Sequence, residues 1–307
     1  AIIFISHKFD EIFRIADDFV CLRDGEKVGE GEIASVTEAQ LVRMMVGRPV
    51  DQVFPKRDVP IGEVILSVKD LSNATEYADV SFDLRKGEIL GLYGLVGAGR
   101  TEAMQGLFGI TPTTRGVVRL EGRPLAIGAP SDAIAAGISY VPEDRQDQGA
   151  ILSLGIRENV TLANLFKHVR GLFLSRSSEQ AETRRLGRRL AVKAASWEQR
   201  LGELSGGNQQ KVVIAKWLAT RPKVIVLDEP TKGIDVGSKA AVHDFIGELA
   251  GEGLAVVLIS SELPEVMGLA DRIIVMKEGR IVDEFQRGKW SAEQIVGAAT
   301  GAAKEAA

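Results

Sequence analysis

The chain has 307 residues, of which 45% are hydrophobic and 6% aromatic, and its formal net charge is −4. This composition is typical of one or two globular domains with a large core, and it argues against a broad nucleic-acid-binding face. The single cysteine, Cys21, excludes an intramolecular disulfide and suits a reducing compartment. No apolar run reaches the roughly 18 residues that a membrane-spanning helix needs.

The start of the chain resembles its end. Residues 1–47 align without a gap with residues 255–301, at a constant offset of 254 (255 − 1), and the apolar pattern matches throughout. Each copy is predicted to form a buried strand, a helix, a strand, a turn, a strand and a short helix. The first strands lie within the aligned segments Ala1–His7 and Ala255–Ser261, and the turns are Asp24-Gly25 and Glu278-Gly279. Because the chain begins without Met and inside a predicted strand, we expect residues 1–47 to end a first copy whose front is missing.

Residues 48–62 contain Pro49, Pro55 and Pro60 and lack periodicity, which is typical of a linker. Strands are predicted from residue 63 onward wherever apolar residues alternate or run together: Val64–Val68, Val80–Leu84, Gly116–Leu120, Ile138–Val141, Val224–Glu229 and Ala255–Ile259. Strands that alternate with helices predict an α/β domain with a mainly parallel sheet over residues 63–301. Residues 302–307 are expected to form a disordered tail.

Residues 156–200 have a mostly helical pattern with a cluster of cations on one predicted face. The cluster consists of Arg184, Arg185, Arg188, Arg189 and Lys193. We interpret it as a solvated helix face, with a docking surface for a partner or for lipid headgroups as the alternative.

A glycine-rich loop lies between a predicted strand, Ile89–Tyr93, and a predicted helix over residues 102–108. Its residues are Gly94, Leu95, Val96, Gly97, Ala98, Gly99, Arg100 and Thr101. The glycines allow backbone N–H groups to point at phosphate oxygens, and the following helix directs the positive end of its dipole at the same anion. Thr101 has the position from which a hydroxyl holds Mg²⁺. Arg100 replaces the Lys that the pattern G-x-x-x-x-G-K-[ST] requires.

Two carboxylates, Asp228 and Glu229, end an apolar predicted strand. The first can hold Mg²⁺ through water, and the second can orient an attacking water or accept its proton. A strand-terminal Asp-Glu pair alone is a weak signal, and Arg100 weakens the signal of the glycine-rich loop. Together, the loop and the carboxylates indicate the two halves of a nucleotide site.

A third segment precedes the predicted helix Val212–Leu218. Its residues are Leu204, Ser205, Gly206, Gly207, Asn208 and Gln209. A hydroxyl and backbone N–H groups at a helix start form a second anion-binding concavity, although the same residues can also serve as a helix cap and turn.

These segments resemble, in order and residue type, the motifs of ATP-binding cassette (ABC) ATPases. The similar segments are Gly94–Thr101 (Walker A), Tyr140–Glu143 (Q-loop), Leu204–Gln209 (signature), Val224–Glu229 (Walker B), Lys232–Asp235 (D-loop) and Ile259–Ser261 (H-loop strand). Three segments look like the C-terminal cassette of two-cassette ATPase subunits of bacterial ribose-, xylose- or rhamnose-type sugar importers. They are Pro142–Arg145, Ser205–Lys211 and Ser260–Glu265. The resemblance implies a P-loop NTPase of ABC ATPase type, with a mainly parallel sheet, an antiparallel β subdomain and a helical subdomain.

In that family two cassettes close face to face, and each ATP lies between the Walker motifs of one cassette and the signature of the other. The resemblance therefore implies one ATP site formed by Gly94–Thr101, Glu143, Asp228, Glu229 and Ser261. It implies Mg²⁺ held by Thr101, Asp228 and Glu143, catalysis by Glu229, and a D-loop role for Asp235. Leu204–Gln209 would complete the site of an absent first cassette, with His7 as that site's catalytic H-loop histidine.

Three positions depart from the family's pattern. Arg100 replaces Lys, Glu143 replaces Gln, and Ser261 replaces the His that position 7 retains. Arginine is bulkier and planar, glutamate adds negative charge beside phosphate, and a serine hydroxyl cannot become cationic. We expect a site that binds nucleotide and turns it over slowly.

The resemblance further implies an ATP-hydrolysing subunit that energises carbohydrate import at the cytoplasmic face of the bacterial plasma membrane. The implied partners are transmembrane permease subunits, a second cassette and, indirectly, an extracytoplasmic sugar-binding protein, but no nucleic acid. The permease contact is expected near Glu143–Arg145 and the helical stretch that follows. One alternative is a regulatory cassette with little turnover of its own, which donates its signature to a partner. Another is an ABC ATPase of translation or DNA repair, which the acidic composition disfavours.

Four other residues have individual interpretations. Tyr77 either stacks on adenine or, as we favour, is a packed loop tyrosine. Cys21 aligns with Val275 and is expected in the core. His168 and His243 lack metal-ligand spacing and are expected on the surface or on a helix.

Overall fold

The computed structural model describes residues 2–5, 9–23, 26–37, 40, 41, 44 and 56–301. The strands are β1 (Asp18–Arg23), β2 (Glu26–Glu32), β3 (Val64–Ser72), β4 (Val80–Arg85), β5 (Ile89–Tyr93), β6 (Arg115–Leu120), β7 (Arg123–Leu125), β8 (Ile138–Val141), β9 (Val169–Arg170), β10 (Phe173–Leu174), β11 (Val224–Asp228), β12 (Ala255–Ile259), β13 (Arg272–Lys277) and β14 (Arg280–Gln286). The helices are α1 (Phe9–Ile15), α2 (Arg100–Phe108), α3 (Pro130–Ala136), α4 (Ile156–Thr161), α5 (Arg176–Arg189), α6 (Gly206–Leu218), α7 (Val236–Gly251), α8 (Leu263–Leu269) and α9 (Ala292–Thr300). Every helix within these ranges is too short or too polar to span a lipid bilayer.

A six-stranded sheet in the order β14-β13-β5-β12-β11-β8 is the centre of the described fold. All neighbours from β13 to β8 are parallel, and β14 is an antiparallel edge strand. The strands β5, β8, β11 and β12 are buried along their whole length, as expected for parallel strands with both faces covered. The predicted mainly parallel sheet is confirmed. The functional loops follow the carboxyl ends of these strands, where open α/β sheets bind their ligands.

A second, antiparallel sheet has the order β4-β3-β6-β7. Along most of β4, buried residues alternate with partly exposed ones, which is the pattern of a sheet with one face on the core. A turn at Glu121-Gly122 joins β6 to β7. This sheet is the antiparallel β part that the family resemblance implies.

The helical pattern predicted for residues 156–200 is only partly correct. Helices α4, α5 and α6 pack on one another, but a short hairpin, β9–β10, separates α4 from α5. The hairpin residues Val169 and Phe173 favour strands over helices, and Gly171 favours a turn.

The predicted solvated face on α5 holds for three of its arginines. Arg184, Arg185 and Arg188 are exposed. Arg189 instead forms ion pairs of 2.9 and 2.7 Å with Glu248 and Glu252, and its guanidinium lies over a phenylalanine ring of α7. Arg189 therefore ties α5 to the helix that follows the D-loop.

Three described elements of the first 47 residues recur at the end of the chain. α1, β1 and β2 begin and end 254 positions before α8, β13 and β14 (for the helices, 263 − 9 = 254). The register of β1 with β2 shifts between Cys21 and Leu22, and that of β13 with β14 shifts between Val275 and Met276. Cys21 is buried, as expected. The assignment of residues 1–47 to a first cassette stays a prediction.

The strand predicted at the start of the chain is wrong where the structure describes it. Residues 2–5 form no strand, and Ile2, Ile3 and Ile5 are almost fully exposed. Their counterpart β12 pairs with β5 on one side and β11 on the other, whereas no described strand pairs with residues 2–5. An apolar run without such neighbours has no ladder to join.

Several predictions fall outside the described residues: His7, the turn Asp24-Gly25, residues 48–55 of the linker and the tail 302–307. The described part of the linker, residues 56–62, contains no helix or strand, as expected.

Candidate nucleotide-binding site

The glycine-rich loop leads from the central strand β5 directly into α2. Gly97 has a φ of +80°, and a Cβ at that position would meet no atom within 4 Å. The backbone is therefore left-handed and faces open space, as a loop that surrounds an anion requires. The carbonyl of Ala98 accepts a 3.0 Å hydrogen bond from Gly279 N, in the turn between β13 and β14. The loop is thus anchored on one side and open on the other.

A hydroxyl from this loop's helix meets the carboxylate at the end of β11. Thr101 Oγ1 donates a 3.2 Å hydrogen bond to Asp228 Oδ1, across 127 positions of sequence. Tyr140 of β8 donates a 2.6 Å hydrogen bond to Asp228 Oδ2. Burial raises the pKa of Asp228 to about 6, although these two donors act to lower it. The two halves of the site that the sequence predicted lie in contact.

The second carboxylate, Glu229, is held from three directions. Its φ of +46° is unusual for a residue other than glycine, and its backbone N donates a 2.9 Å hydrogen bond to Ile259 O at the end of β12. Ser261 Oγ donates a 3.1 Å hydrogen bond to Oε2, and Arg100 Nη2 lies 3.9 Å from Oε1. Burial raises the pKa of Glu229, which Ser261 and Arg100 partly oppose.

Arg100 is buried and lies against the carboxyl end of β12. Its Nη1 donates a 2.8 Å hydrogen bond to Ser260 O, while Nη2 approaches Glu229. Two of the three departures from the family pattern, Arg100 and Ser261, therefore contact opposite oxygens of the same carboxylate. Lysine has a compact ammonium in place of the planar guanidinium, so it could not contact the Ser260 carbonyl and the Glu229 carboxylate in this way.

The third departure, Glu143, follows β8 and points toward the D-loop. Its carboxylate forms a 2.5 Å ion pair with Lys232. The next arginine, Arg145, donates hydrogen bonds of 2.9 and 3.3 Å to Lys232 O and Gly233 O. The charge of Glu143 also contributes to the raised pKa of Asp228. The segment after β8 is thus bonded to the segment that leads to α7.

The signature segment caps α6 and packs on the start of α7. Ser205 is the exposed N-cap residue of α6, and Asn208 Nδ2 donates a 2.9 Å hydrogen bond to its hydroxyl. A Cβ on Gly207 would lie 2.2 Å from Ser238 Oγ, so only glycine permits this close approach. Asp235 caps α7 by accepting hydrogen bonds of 2.9 and 2.7 Å from Ser238 N and Oγ.

The remaining signature residues secure this arrangement. Gln209 Nε2 donates a 3.0 Å hydrogen bond to Leu204 O, and Asn208 Oδ1 accepts one of 2.8 Å from Lys193 N. In the part of the chain that the structure describes, no hydrogen bond or ion pair joins Leu204–Gln209 to Gly94–Thr101. The signature and the glycine-rich loop are therefore separate features of this chain.

Other sequence interpretations have mixed outcomes. Tyr77 is buried, and its hydroxyl lies 1.8 Å from the place of a Cβ on Gly106, so the packed role is confirmed and adenine stacking is not. His168 and His243 are both buried, so neither lies on the surface, but both lie on helices, as the other half of that expectation has it. His168 ends a 3-10 helix (Leu162–His168), with Nδ1 2.9 Å from Ser178 Oγ, and His243 lies on α7, with Nε2 2.6 Å from Glu265 Oε1.

Sequence reasoning missed two functional contacts. The first is the hydrogen bond from Tyr140 to Asp228, although a tyrosine in a buried strand signals that its hydroxyl needs a partner. The second is the bridge from Arg145 to the D-loop backbone. No spacing rule gives this bridge, because it depends on how the loops after β8 and β11 approach each other.

Comparison with known proteins places this arrangement in a family. Residues 77–232 match the family described as ABC transporter, which is about half of the chain. The chain belongs to this family. Membership implies nucleotide binding and confirms the predicted ABC ATPase form of the P-loop NTPase fold.

Relatives of this ABC cassette are named for sugar import. It is 58% identical over 301 residues to the ribose import ATP-binding protein RbsA 1 of Rhizobium meliloti, covering 98% of this chain and 60% of that protein. It is 57% identical to ribose import ATP-binding protein RbsA of Jannaschia sp., covering 98% and 58%. It is 48% identical to the putative ribose/galactose/methyl galactoside import ATP-binding protein 1 of Rhizobium etli, covering 98% and 57%. The chain therefore spans about three fifths of the length of these relatives.

Solved structures of ABC cassettes share the fold. One is an ATP-binding cassette in its ADP conformation, with a TM-score of 0.63 and 23% identity over 78% of this chain and 95% of that one. Another is a dimeric cassette in a post-hydrolysis state with ADP and Pi, with a TM-score of 0.63 and 20% identity over 74% and 100%. At this identity the likeness shows the fold alone.

Proposed function

We propose that this chain is the ATP-binding and ATP-hydrolysing part of a subunit that energises carbohydrate import. The observation that carries the proposal is the junction of Thr101 with Asp228, next to Glu229 and below the open glycine-rich loop. Phosphoryl transfer depends on positioning and charge stabilisation, and this junction supplies a metal-holding pair and an adjacent base. The sugar-import names of the relatives support the substrate class.

Mg²⁺ would be held by Thr101 and Asp228, with Glu143 at the same edge of the sheet. In the described ranges no three His, Cys, Asp or Glu side chains cluster as metal ligands, but a nucleotide-bound Mg²⁺ needs only one or two protein ligands beside phosphate and water. The hydroxyl and carboxylate oxygens fit this hard cation. Bound Mg²⁺ would neutralise charge on the phosphates.

Glu229 would orient the attacking water and accept its proton. Ser261 and Arg100 hold its carboxylate at both oxygens, so this base is fixed before nucleotide arrives. Neither group can act as an imidazolium toward the γ-phosphate. We therefore infer a slow site, whereas Ser205, Gly206 and Gly207, together with His7, would serve the faster site of a first cassette.

The proposed subunit has two cassettes, with residues 1–47 ending the first, 48–62 as the linker and 63–301 as the second. The recurrence of three elements at an offset of 254 supports this division. Its partners would be transmembrane permease subunits and, through them, an extracytoplasmic sugar-binding protein. The subunit would lie on the cytoplasmic face of the bacterial plasma membrane.

The test is ATP binding and ATP hydrolysis by the chain and by Glu229→Gln. We expect the variant to bind Mg²⁺–ATP with an affinity within about threefold of the original and to lose at least about tenfold in turnover, as for a lost general base. Glu293→Gln, which changes an exposed carboxylate on α9, should match the original in both assays. Equal turnover with and without Glu229 would contradict the assigned base. Binding without any turnover by the original chain would favour the regulatory cassette.

A further inference from the structure

The hairpin β9–β10 carries a group of exposed apolar side chains. Leu172, at its tip, is 94% exposed, Phe173 is 78% exposed, and Phe166, just before the hairpin, is 70% exposed. We call these three, together with Val169 and Leu174, the hairpin patch. Isolated exposed hydrophobic residues are common on proteins, but such a dense group marks an interaction surface.

The segment of sequence that contains the patch has basic residues but no acidic ones. Between Glu158 and Glu179 lie 20 residues (179 − 158 − 1) without Asp or Glu, although the chain as a whole is acidic. The segment contains Lys167, Arg170 and Arg176. Arg176 forms a 3.2 Å ion pair with Glu198, whereas the hydrogen bonds of Lys167 and Arg170 go to backbone carbonyls. Neither Lys167 nor Arg170 forms an ion pair with a carboxylate among the described residues, although the negative charge of Glu182 acts on Lys167.

The hairpin has a fixed base and a protruding tip. Ser175 N donates a 2.8 Å hydrogen bond to His168 O, and the buried His168 ring lies 2.9 Å from Ser178 Oγ. Above this base the cross-strand pairs are Phe173 with Arg170 and Leu174 with Val169. Successive side chains of a strand point to opposite faces, so both faces of the hairpin carry exposed apolar groups. A two-stranded hairpin of this kind is barely stable in water by itself.

We propose that the hairpin patch inserts into the headgroup region of an anionic lipid bilayer. A protein surface would cover one face of the hairpin, whereas a lipid interface surrounds both. Arg170 lies opposite Phe173 beside the apolar tip, where a long cationic side chain can reach lipid phosphates while its stem stays apolar. This contact would orient the cassette at the membrane independently of its nucleotide.

The experiment is sedimentation of the chain with protein-free vesicles, in the absence of nucleotide. We expect binding to vesicles that contain phosphatidylglycerol, weaker binding at high salt, and little binding to pure phosphatidylcholine. The double variant Leu172→Asp, Phe173→Asp should bind anionic vesicles at least about tenfold more weakly, because two large apolar side chains are lost. Arg170→Glu should reduce binding several-fold.

Matched controls separate the patch from general effects. Val117→Asp, at an exposed position on β6, and Arg188→Glu, at an exposed position on α5, should leave vesicle binding within about twofold. Unchanged thermal unfolding and ATP binding would show that the hairpin variants are folded. If the original chain ignores anionic vesicles, or the double variant binds them equally well, the proposal is wrong. If the double variant loses binding only to membranes that contain a permease, the hairpin patch contacts protein and the proposal is likewise wrong.

Discussion

At the scale of single residues, Asp228 links the candidate metal site to stability. Its ordinary pKa of 3.8 is raised to about 6 in the fold by burial. The folded state therefore binds this proton more tightly than the unfolded state. The contribution of this proton to the free energy of unfolding is complete below pH 3.8 and is lost as pH rises through 6. The loss is roughly 3 kcal/mol if Asp228 acts alone.

We expect Asp228→Asn to gain stability relative to the original chain as pH rises from 4 to 7 without Mg²⁺, because the amide has no charge to bury. Denaturant unfolding of both chains at several pH values measures this difference. Addition of Mg²⁺ and ATP should reverse it, since only the carboxylate can hold the cation. If the stability difference between the two chains does not change with pH, burial does not raise the pKa of Asp228.

The hydroxyl of Ser261 influences the pKa of the second carboxylate, Glu229. Burial raises the pKa of Glu229, and the hydroxyl of Ser261 opposes this rise. We predict that the acid limb of the pH–kcat profile lies above the ordinary glutamate range and that Ser261→Ala moves it to still higher pH. Ser177→Ala, at an exposed position on α5, is the control. An unshifted acid limb in Ser261→Ala would exclude control of Glu229 by this hydroxyl.

At the scale of elements, Arg145 bonds the segment after β8 to the D-loop and also lies beside the signature. A Cβ on Gly206 would be 3.0 Å from its Nη2, and its two backbone acceptors are Lys232 O and Gly233 O. Arg145→Gln should increase hydrogen exchange over residues 232–238 and lower kcat several-fold. ATP affinity should change little, because Arg145 contacts neither the glycine-rich loop nor Asp228 in the described structure.

The control for this prediction is Arg123→Gln, which removes an exposed arginine of β7. Hydrogen exchange followed by mass spectrometry reports the local opening, and steady-state kinetics separate kcat from KM. If Arg145→Gln leaves exchange over residues 232–238 unchanged, the bridge does not hold the D-loop.

The sequence predicted elements best where the pattern was local. Continuous apolar runs such as Val224–Leu227 gave the buried strands, because a parallel strand covered on both faces tolerates few polar residues. The short hairpin at Val169–Leu174 was missed, since two-residue strands leave no periodicity to detect. The contacts of Arg145 and Tyr140 were missed because they join segments that are far apart in sequence, and only the assembled sheet brings them together.

At the scale of the whole molecule, the chain contains one loop that fits phosphate and one signature, and no described hydrogen bond or ion pair joins them. Ser205 is exposed at the start of α6, where a facing cassette could reach it. Asp235 and Ser238 support the signature from α7. The arrangement is therefore suited to head-to-tail pairing, in which each copy supplies what the other lacks.

Pairing of this kind predicts complementation between two inactive variants of the chain. Ser205→Arg should block the signature, and Glu229→Gln should remove the base, so each variant alone should lose ATP turnover. Mixed dimers contain one site with both changes and one site with neither. An equal mixture should therefore recover about one quarter of the original rate, since half of the dimers are mixed and each has one intact site.

The measurement is ATPase activity against total chain concentration. A mixture of Glu229→Gln with Asp228→Asn, which alter the same half-site, should recover nothing. Failure of the first mixture at concentrations where the original chain is active would show that each copy works alone.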